Sequence, residues 1–177
     1  MSPNRKTLIS GSDDKTGRVW DLTKEAAEGG DVEPIKVIKE EETIWSVACN
    51  PDGIKFCLGG EGGFLHVYDS TSCQRLAELK GHTQWVNSVA FSPNGQTLFS
   101  ASTDNTLKIW NVATEDAESW ACRKTLVGHS SAVWCISESP CGKYLASGSG
   151  DKTMKVWDIT TGSLIRTIGA HEKACAE

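Results

Sequence analysis

Long apolar runs are missing from this chain. The longest span about five residues, far short of the ~20 that a membrane-crossing helix requires. Basic runs are equally scarce: no more than two Lys or Arg residues stand together, and the net charge of −5 is spread over both signs. That distribution excludes a surface built on phosphate contacts and lacks a polybasic membrane signal, so neither nucleic acid nor membrane is expected as a partner. Met1 to Ser12 has no apolar signal core, which points to a protein that is not secreted. Helical periodicity is also missing. No window of twelve or more residues sustains it, and Lys24 to Glu28 is too short to count.

Cysteine is present, but not in metal-binding or redox pairs. Cys49, Cys57, Cys73, Cys122, Cys135, Cys141 and Cys175 form no C-x-x-C motif, their number is odd, and several sit inside apolar strand patterns. Reduced thiols in a cytoplasmic or nuclear protein are the simplest account. Four histidines in separate repeats offer no zinc-ligand spacing, and no cofactor is expected.

What the chain does have is a repeat. Asn50-Pro51-Asp52-Gly53, Ser92-Pro93-Asn94-Gly95 and Ser139-Pro140-Cys141-Gly142 each precede an aromatic by a constant distance, 17 residues from proline to Tyr68, Trp110 and Trp157. The same count back from Trp20 reaches Pro3. Around these anchors lie runs of four to six residues rich in Val, Ile, Leu and aromatics, bounded by Gly, Pro, Asn, Asp and Ser. In the third unit they are Val86 to Phe91, Thr97 to Ser102, Thr106 to Asn111 and Arg123 to Val127. The aromatic-to-aromatic periods are 48, 42 and 47, the repeat length of a four-stranded propeller blade.

The residues Trp20-Asp21, Tyr68-Asp69, Trp110-Asn111, Trp157-Asp158, Gly81-His82, Gly128-His129 and Ala170-His171 resemble the WD40-repeat β-propeller family over essentially the whole chain. The resemblance implies an all-β propeller segment of about four blades and 15 strands, partial relative to a ring of seven or eight. Its divisions are a partial blade over 1–39 lacking the innermost strand, blades over 40–80, 81–127 and 128–169, and the start of another over 170–177.

His82, Ser100, Asp104 and Trp110 recur at the same offsets as His129, Ser147, Asp151 and Trp157, and Ser10, Asp14 and Trp20 repeat all but the histidine. Ser, His and Asp together invite comparison with a nucleophilic triad, which would make the chain a hydrolase. A triad is needed once, however, and this set recurs and ends in an indole that only donates. The resemblance assigns it to a structural tetrad, so no catalytic residue is expected. The second unit places Glu40, Leu58, Gly62 and Tyr68 at the four positions. Apolar packing alone, a loose glycine-rich turn and a solvated His66 are therefore expected there, and Lys39 to Glu42 is read as a substitute loop only.

Function must then lie on a surface. The resemblance places the residues flanking the first buried aliphatic of each inner strand at the top of the channel: Thr43 and Trp45, Trp85 and Asn87, Ala132 and Trp134. Asp13, Glu61, Thr103 and Gly150, each before a tetrad Asp position, join them. Tryptophan is the residue most enriched in interface hot spots, so these positions suit a protein or peptide partner; the alternative is that some of the three tryptophans fill the channel in place of a smaller residue. The long connections Leu22 to Glu33 and Val112 to Cys122 are read as solvated loops, with an exposed Trp120 in the second as an alternative side-face contact. The expected function is a non-enzymatic interaction scaffold. The alternative is a propeller half that works only after assembly with a second copy, His171 of one filling the missing histidine of the other, or with another chain.

Overall fold

The computed structural model describes residues 7–23, 33–114 and 116–169. The Pro3 turn, Lys24 to Glu28 with most of the Leu22 to Glu33 connection, Cys175, His171 and the segment after it lie outside these residues.

Fifteen antiparallel strands form four sheets among the described residues, each in plain sequential order. The first sheet has three strands, β1 (Thr7–Gly11), β2 (Thr16–Asp21) and β3 (Lys36–Lys39). The second has β4 (Ile44–Cys49), β5 (Lys55–Gly60), β6 (Leu65–Asp69) and β7 (Arg75–Glu78). The third has β8 (Val86–Phe91), β9 (Thr97–Ser102), β10 (Thr106–Asn111) and β11 (Ala121–Val127). The fourth has β12 (Val133–Glu138), β13 (Tyr144–Ser149), β14 (Thr153–Asp158) and β15 (Leu164–Gly169). This is a partial propeller of about four blades. The only helical pieces among the described residues are short 3-10 turns at Glu61–Gly63 and Ala117–Ser119.

The proline turns link first to second strands, and their chemistry explains the constant offset. Asp52 Oδ1 accepts the Ile54 amide at 2.7 Å and Asn94 Oδ1 accepts the Gln96 amide at 3.0 Å. The closing glycines, Gly53, Gly95 and Gly142, adopt φ of 75°, 70° and 70°, where a side chain is strained.

The core lies between blades, not within them. Ile9, Val19 and Ile38 of blade one meet Ile44, Phe56, Leu58 and Tyr68 of blade two. Cys57, Leu65, Val67 and Leu79 meet Val86, Val89, Leu98 and Trp110 of blade three. Phe99, Leu107, Ile109 and Leu126 meet Val133, Leu145 and Trp157 of blade four. A small residue on each second strand lets the next inner strand approach. A Cβ on Gly59 would lie 2.9 Å from Val86 Cγ1, and one on Gly11 would overlap Ile44.

Trp120 corrects one expectation. It is buried in the layer between blades two and three, its indole N–H donating to the Thr114 carbonyl at 2.9 Å and its ring lying 4.9 Å from Lys55 Nζ. The acidic loop folds this apolar ring inward because the flank of blade two offers it cover, which loop composition does not reveal.

The glycine-rich turn of blade two is tight, contrary to the expected looseness. Gly63 has φ of 81°, and a Cβ there would stand 2.7 Å from the His82 carbonyl oxygen. Gly63→Ala is therefore expected to cost about 2 kcal/mol or more, from left-handed strain plus a backbone clash. Urea denaturation checks this; an unchanged midpoint would contradict the packing described.

Candidate functional site

In blade three the tetrad residues come together in one directed chain. The Trp110 indole N–H donates to Ser100 Oγ at 2.8 Å, and Ser100 Oγ lies 2.7 Å from His82 Nε2. His82 Nδ1 stands 2.7 Å from Asp104 Oδ2, which also accepts the Thr83 amide at 3.1 Å. Thr106 hydroxyl donates to the other carboxylate oxygen at 2.6 Å. Blade four repeats the chain through Trp157, Ser147, His129 and Asp151 at 2.9, 2.8 and 2.7 Å. With Nδ1 protonated, every donor meets an acceptor. The glycine before each histidine is needed for this fit, since a Cβ on Gly81 or Gly128 would press on the indole at 3.1 or 3.0 Å.

Burial drives the carboxyl of Asp104 up, but hydrogen bonds from His82 and Thr106 outweigh it and hold the group well below the usual carboxylate range. In Asp151, burial is likewise outweighed by Thr153 and His129. Burial lowers His129, with Asp151 opposing, so its neutral form is favoured. Ser100 is wholly buried, and its oxygen is already occupied by the indole. In blade three the arrangement has triad-like distances without room for a substrate at Ser100.

Blade one keeps part of the set. The Trp20 indole donates to Ser10 Oγ at 3.0 Å, while Asp14 pairs with Arg18 at 2.8 Å and accepts from Thr16. Thr16 dominates the lowering of Asp14, opposed by slight desolvation.

Blade two overturns three expectations at once. Glu40 Oε2 lies 2.9 Å from His66 Nδ1, and Glu40 Oε1 accepts the Tyr68 hydroxyl at 2.5 Å. Arg75 Nη1 sits 3.4 Å from His66 Nε2. His66 is buried and stacked on Phe64 with centroids 4.7 Å apart, not solvated. The loop from Lys39 to Glu42 supplies the carboxylate at the centre, and polar links tie this blade as they tie the others. Burial pushes Glu40 up, but His66 and Tyr68 outweigh it and keep the carboxylate ionised. The same contact, added to burial, pushes the Tyr68 hydroxyl up. The signal was present as two compensating changes, His to Glu at position 40 and Trp to Tyr at position 68.

The top-face candidates divide by what holds them. Each inner strand has a bulge after its first residue: Ile44 pairs with Gly60 and Ser46 with Gly59, leaving Trp45 between them. Asn87 and Trp134 occupy the same unpaired position in blades three and four. A bulge turns such a side chain away from the ladder. Trp45 is 48% exposed, and it stacks on Trp85, 42% exposed, with centroids 5.6 Å apart and planes 19° from parallel. Trp134 is 40% exposed and rests by Gly150, where a Cβ would stand 3.2 Å from its Nε1. Asn87 instead spans blades, its amide donating to Thr103 Oγ1 at 3.0 Å and to the Val133 carbonyl at 2.9 Å. Thr43 and Ala132 contribute carbonyls that accept the Glu61 and Gly150 amides at 2.9 and 2.8 Å. Asp13 is exposed.

Residues 1–21, 73–111 and 120–158 match the WD40 family, described as WD domain, G-beta repeat. The chain belongs to the WD40 family. WD40 propellers are in general non-enzymatic scaffolds for protein partners. Of the stretches left unmatched, 22–72 is the longest and holds most of blade two, where the tetrad is replaced. Pre-mRNA-processing factor 19 of Bos taurus is 47% identical over 64 residues, covering 36% of this chain and 13% of that protein. Serine-threonine kinase receptor-associated protein of Rattus norvegicus is 36% identical over 92 residues, covering 51% of this chain and 26% of that protein. The chain thus matches about a quarter or less of the length of these relatives.

An amide at position 104 keeps the oxygen that serves Thr106 but turns an NH2 toward His82 Nδ1 and the Thr83 amide, so Asp104→Asn should lower stability by about 1–3 kcal/mol at pH 7. A carboxyl depressed in the folded state contributes fully above its unfolded value of about 3.9 and loses that contribution as pH falls further. The gap between wild type and Asp104→Asn should therefore narrow from about pH 4 downward. Denaturant titrations across that range provide the check.

Proposed function

We propose that this chain is a non-enzymatic protein-interaction scaffold whose WD40 top face, centred on the Trp45–Trp85 pair, takes a peptide or a partner domain. The observation that carries the reading is the stack itself. Two large rings from adjacent blades are held half-exposed, one by a backbone bulge and the other just before the first buried valine of its inner strand. Covering such a rigid apolar platform gains burial while ordering few rotamers. Trp134, Glu61, Asp13, Ala132 and Thr43 extend the face, whereas Asn87 and Thr103 hold blades three and four together beneath it. The word "associated" in the name of one relative agrees with a protein partner. The two relatives' names concern pre-mRNA processing and a kinase receptor, so a cytoplasmic or nuclear setting is proposed and no pathway is carried over.

Against the hydrolase alternative stand the buried serines and the recurrence of the same chain in two blades. The scaffold reading predicts that Trp45→Ala with Trp85→Ala loses at least tenfold in partner capture from cell extract while keeping the wild-type thermal midpoint. Equal capture by the double variant would overturn it.

A second reading, assembly with a second copy, is favoured by blade four. Met154 is 37% exposed, whereas the residues at its repeat positions, Leu65 and Leu107, are fully buried under a neighbouring blade. With Ile136, Ala146 and Gly148 it lines an apolar groove of about 320 Å³. Covering of this face by a second copy predicts a dimer in light scattering that Met154→Asp converts to monomer; a wild-type monomer would remove the reading.

A further inference from the structure

Blade two borders an open cleft of about 570 Å³, to which Ile38 and Lys39 of blade one contribute. The residues at this blade's tetrad positions, Glu40, Gly62 and Tyr68, line it. Here Tyr68 replaces the larger indole, and Gly62 stands where the aspartate belongs. A Cβ on Gly62 would meet nothing nearer than Glu42 Cγ at 3.8 Å, so the space is open. The volume falls within the range of sites that hold small ligands, and exceeds that of a single side chain.

The walls have a definite chemistry. Phe64 stacked on His66 forms one side, with Tyr68 and Ile38 behind. Five carboxylates, Glu40, Glu41, Glu42, Glu61 and Glu78, line the space against two cations, Lys39 and Arg75. Glu40 is consumed by His66 and Tyr68, and its role is to fix the floor. Arg75 leans on His66 Nε2, and Glu78 engages Lys80 at 3.5 Å. Glu41, Glu42 and Glu61 remain, the first two exposed and Glu61 partly so. Glu61 lines the cleft, and its amide is bonded to the Thr43 carbonyl two residues before Trp45, which links the cleft to the strand that carries that tryptophan.

We propose that this cavity receives a basic side chain, arginine or lysine, of the peptide that lies across Trp45 and Trp85. The proposal rests on the top-face reading above and assigns its charge specificity. A cation entering meets excess carboxylate in a partly enclosed, aromatic-walled space, where attraction is screened less than on open surface. An acidic side chain meets the same carboxylates and is repelled.

The test uses N-acetyl-arginine amide and N-acetyl-lysine amide as probes, with N-acetyl-citrulline amide as the neutral isostere, followed by amide chemical shifts of the 15N-labelled chain. Saturable shifts at Glu61, Gly62 and Gly63 are expected with both cations, with binding at least fivefold weaker for citrulline. Glu42→Gln with Glu61→Gln, both at the solvent edge, should weaken the cation probes by a similar factor. Equal binding of citrulline, absence of saturable shifts in blade two, or no effect of the glutamate changes would overturn the proposal. Partner capture separates the two readings. Loss in the tryptophan variant with full retention in the glutamate variant overturns the basic-residue pocket and leaves the top face standing.

Discussion

Everything in this molecule depends on burial between neighbouring blades. A lone four-stranded sheet leaves both faces wet, and only stacking gives it a core. The chain meets this constraint with a repeated fit of small residue to aliphatic pair: Gly59 opposite Val86 and Val89, and Gly11 opposite Ile44 and Val47. Trp110 and Trp157 then close the outer part of each layer against the preceding blade. Where no neighbour follows among the described residues, on blade four, Met154 and Ile168 stay exposed, although Leu65 and Leu79 at the same repeat positions of blade two are buried.

Burying a tryptophan in that layer creates a polar obligation, because its N–H must find an acceptor. Ser100 and Ser147 answer it, and each requires a histidine, which in turn requires an aspartate. The likeness to a hydrolytic triad follows from this succession of satisfied donors, with no chemistry implied. Blade two solves the same problem with different groups. Once tyrosine replaces tryptophan, the donor becomes a hydroxyl, and one glutamate accepts from it and from His66 together. The exchange leaves a smaller side chain there, and Tyr68 becomes one wall of an open cleft shared with the Lys39 to Glu42 loop.

Much of this was legible along the chain. Strand positions agree with the sequence reading to within one or two residues, because proline turns and aromatic strand ends are local signals whose spacing is rigid. The tetrads were legible for the same reason: fixed offsets between strands of one sheet become fixed contacts. His66 was not legible, since its partner Glu40 lies 26 residues away and alternation alone places it on a half-polar edge. Trp120 was missed because its cover comes from another blade, through Lys55 and the layer around Leu79. The tryptophans of the top face were named from the repeat, yet the repeat did not show that Trp45 and Trp85 would stack while Trp134 rests on Gly150.

The sequence by itself determined the family, the blade count and the chain of groups within each intact blade, since these follow from local turns and from period-two pairing inside one sheet. Only the tertiary structure decided what happens between sheets: the pairing of two tryptophans from different blades, the inward turn of Trp120, and the cavity beside His66. Those features depend on how far one sheet is rotated against the next and on which side chain fills the space left by another. Neither quantity is carried by spacing along a single chain.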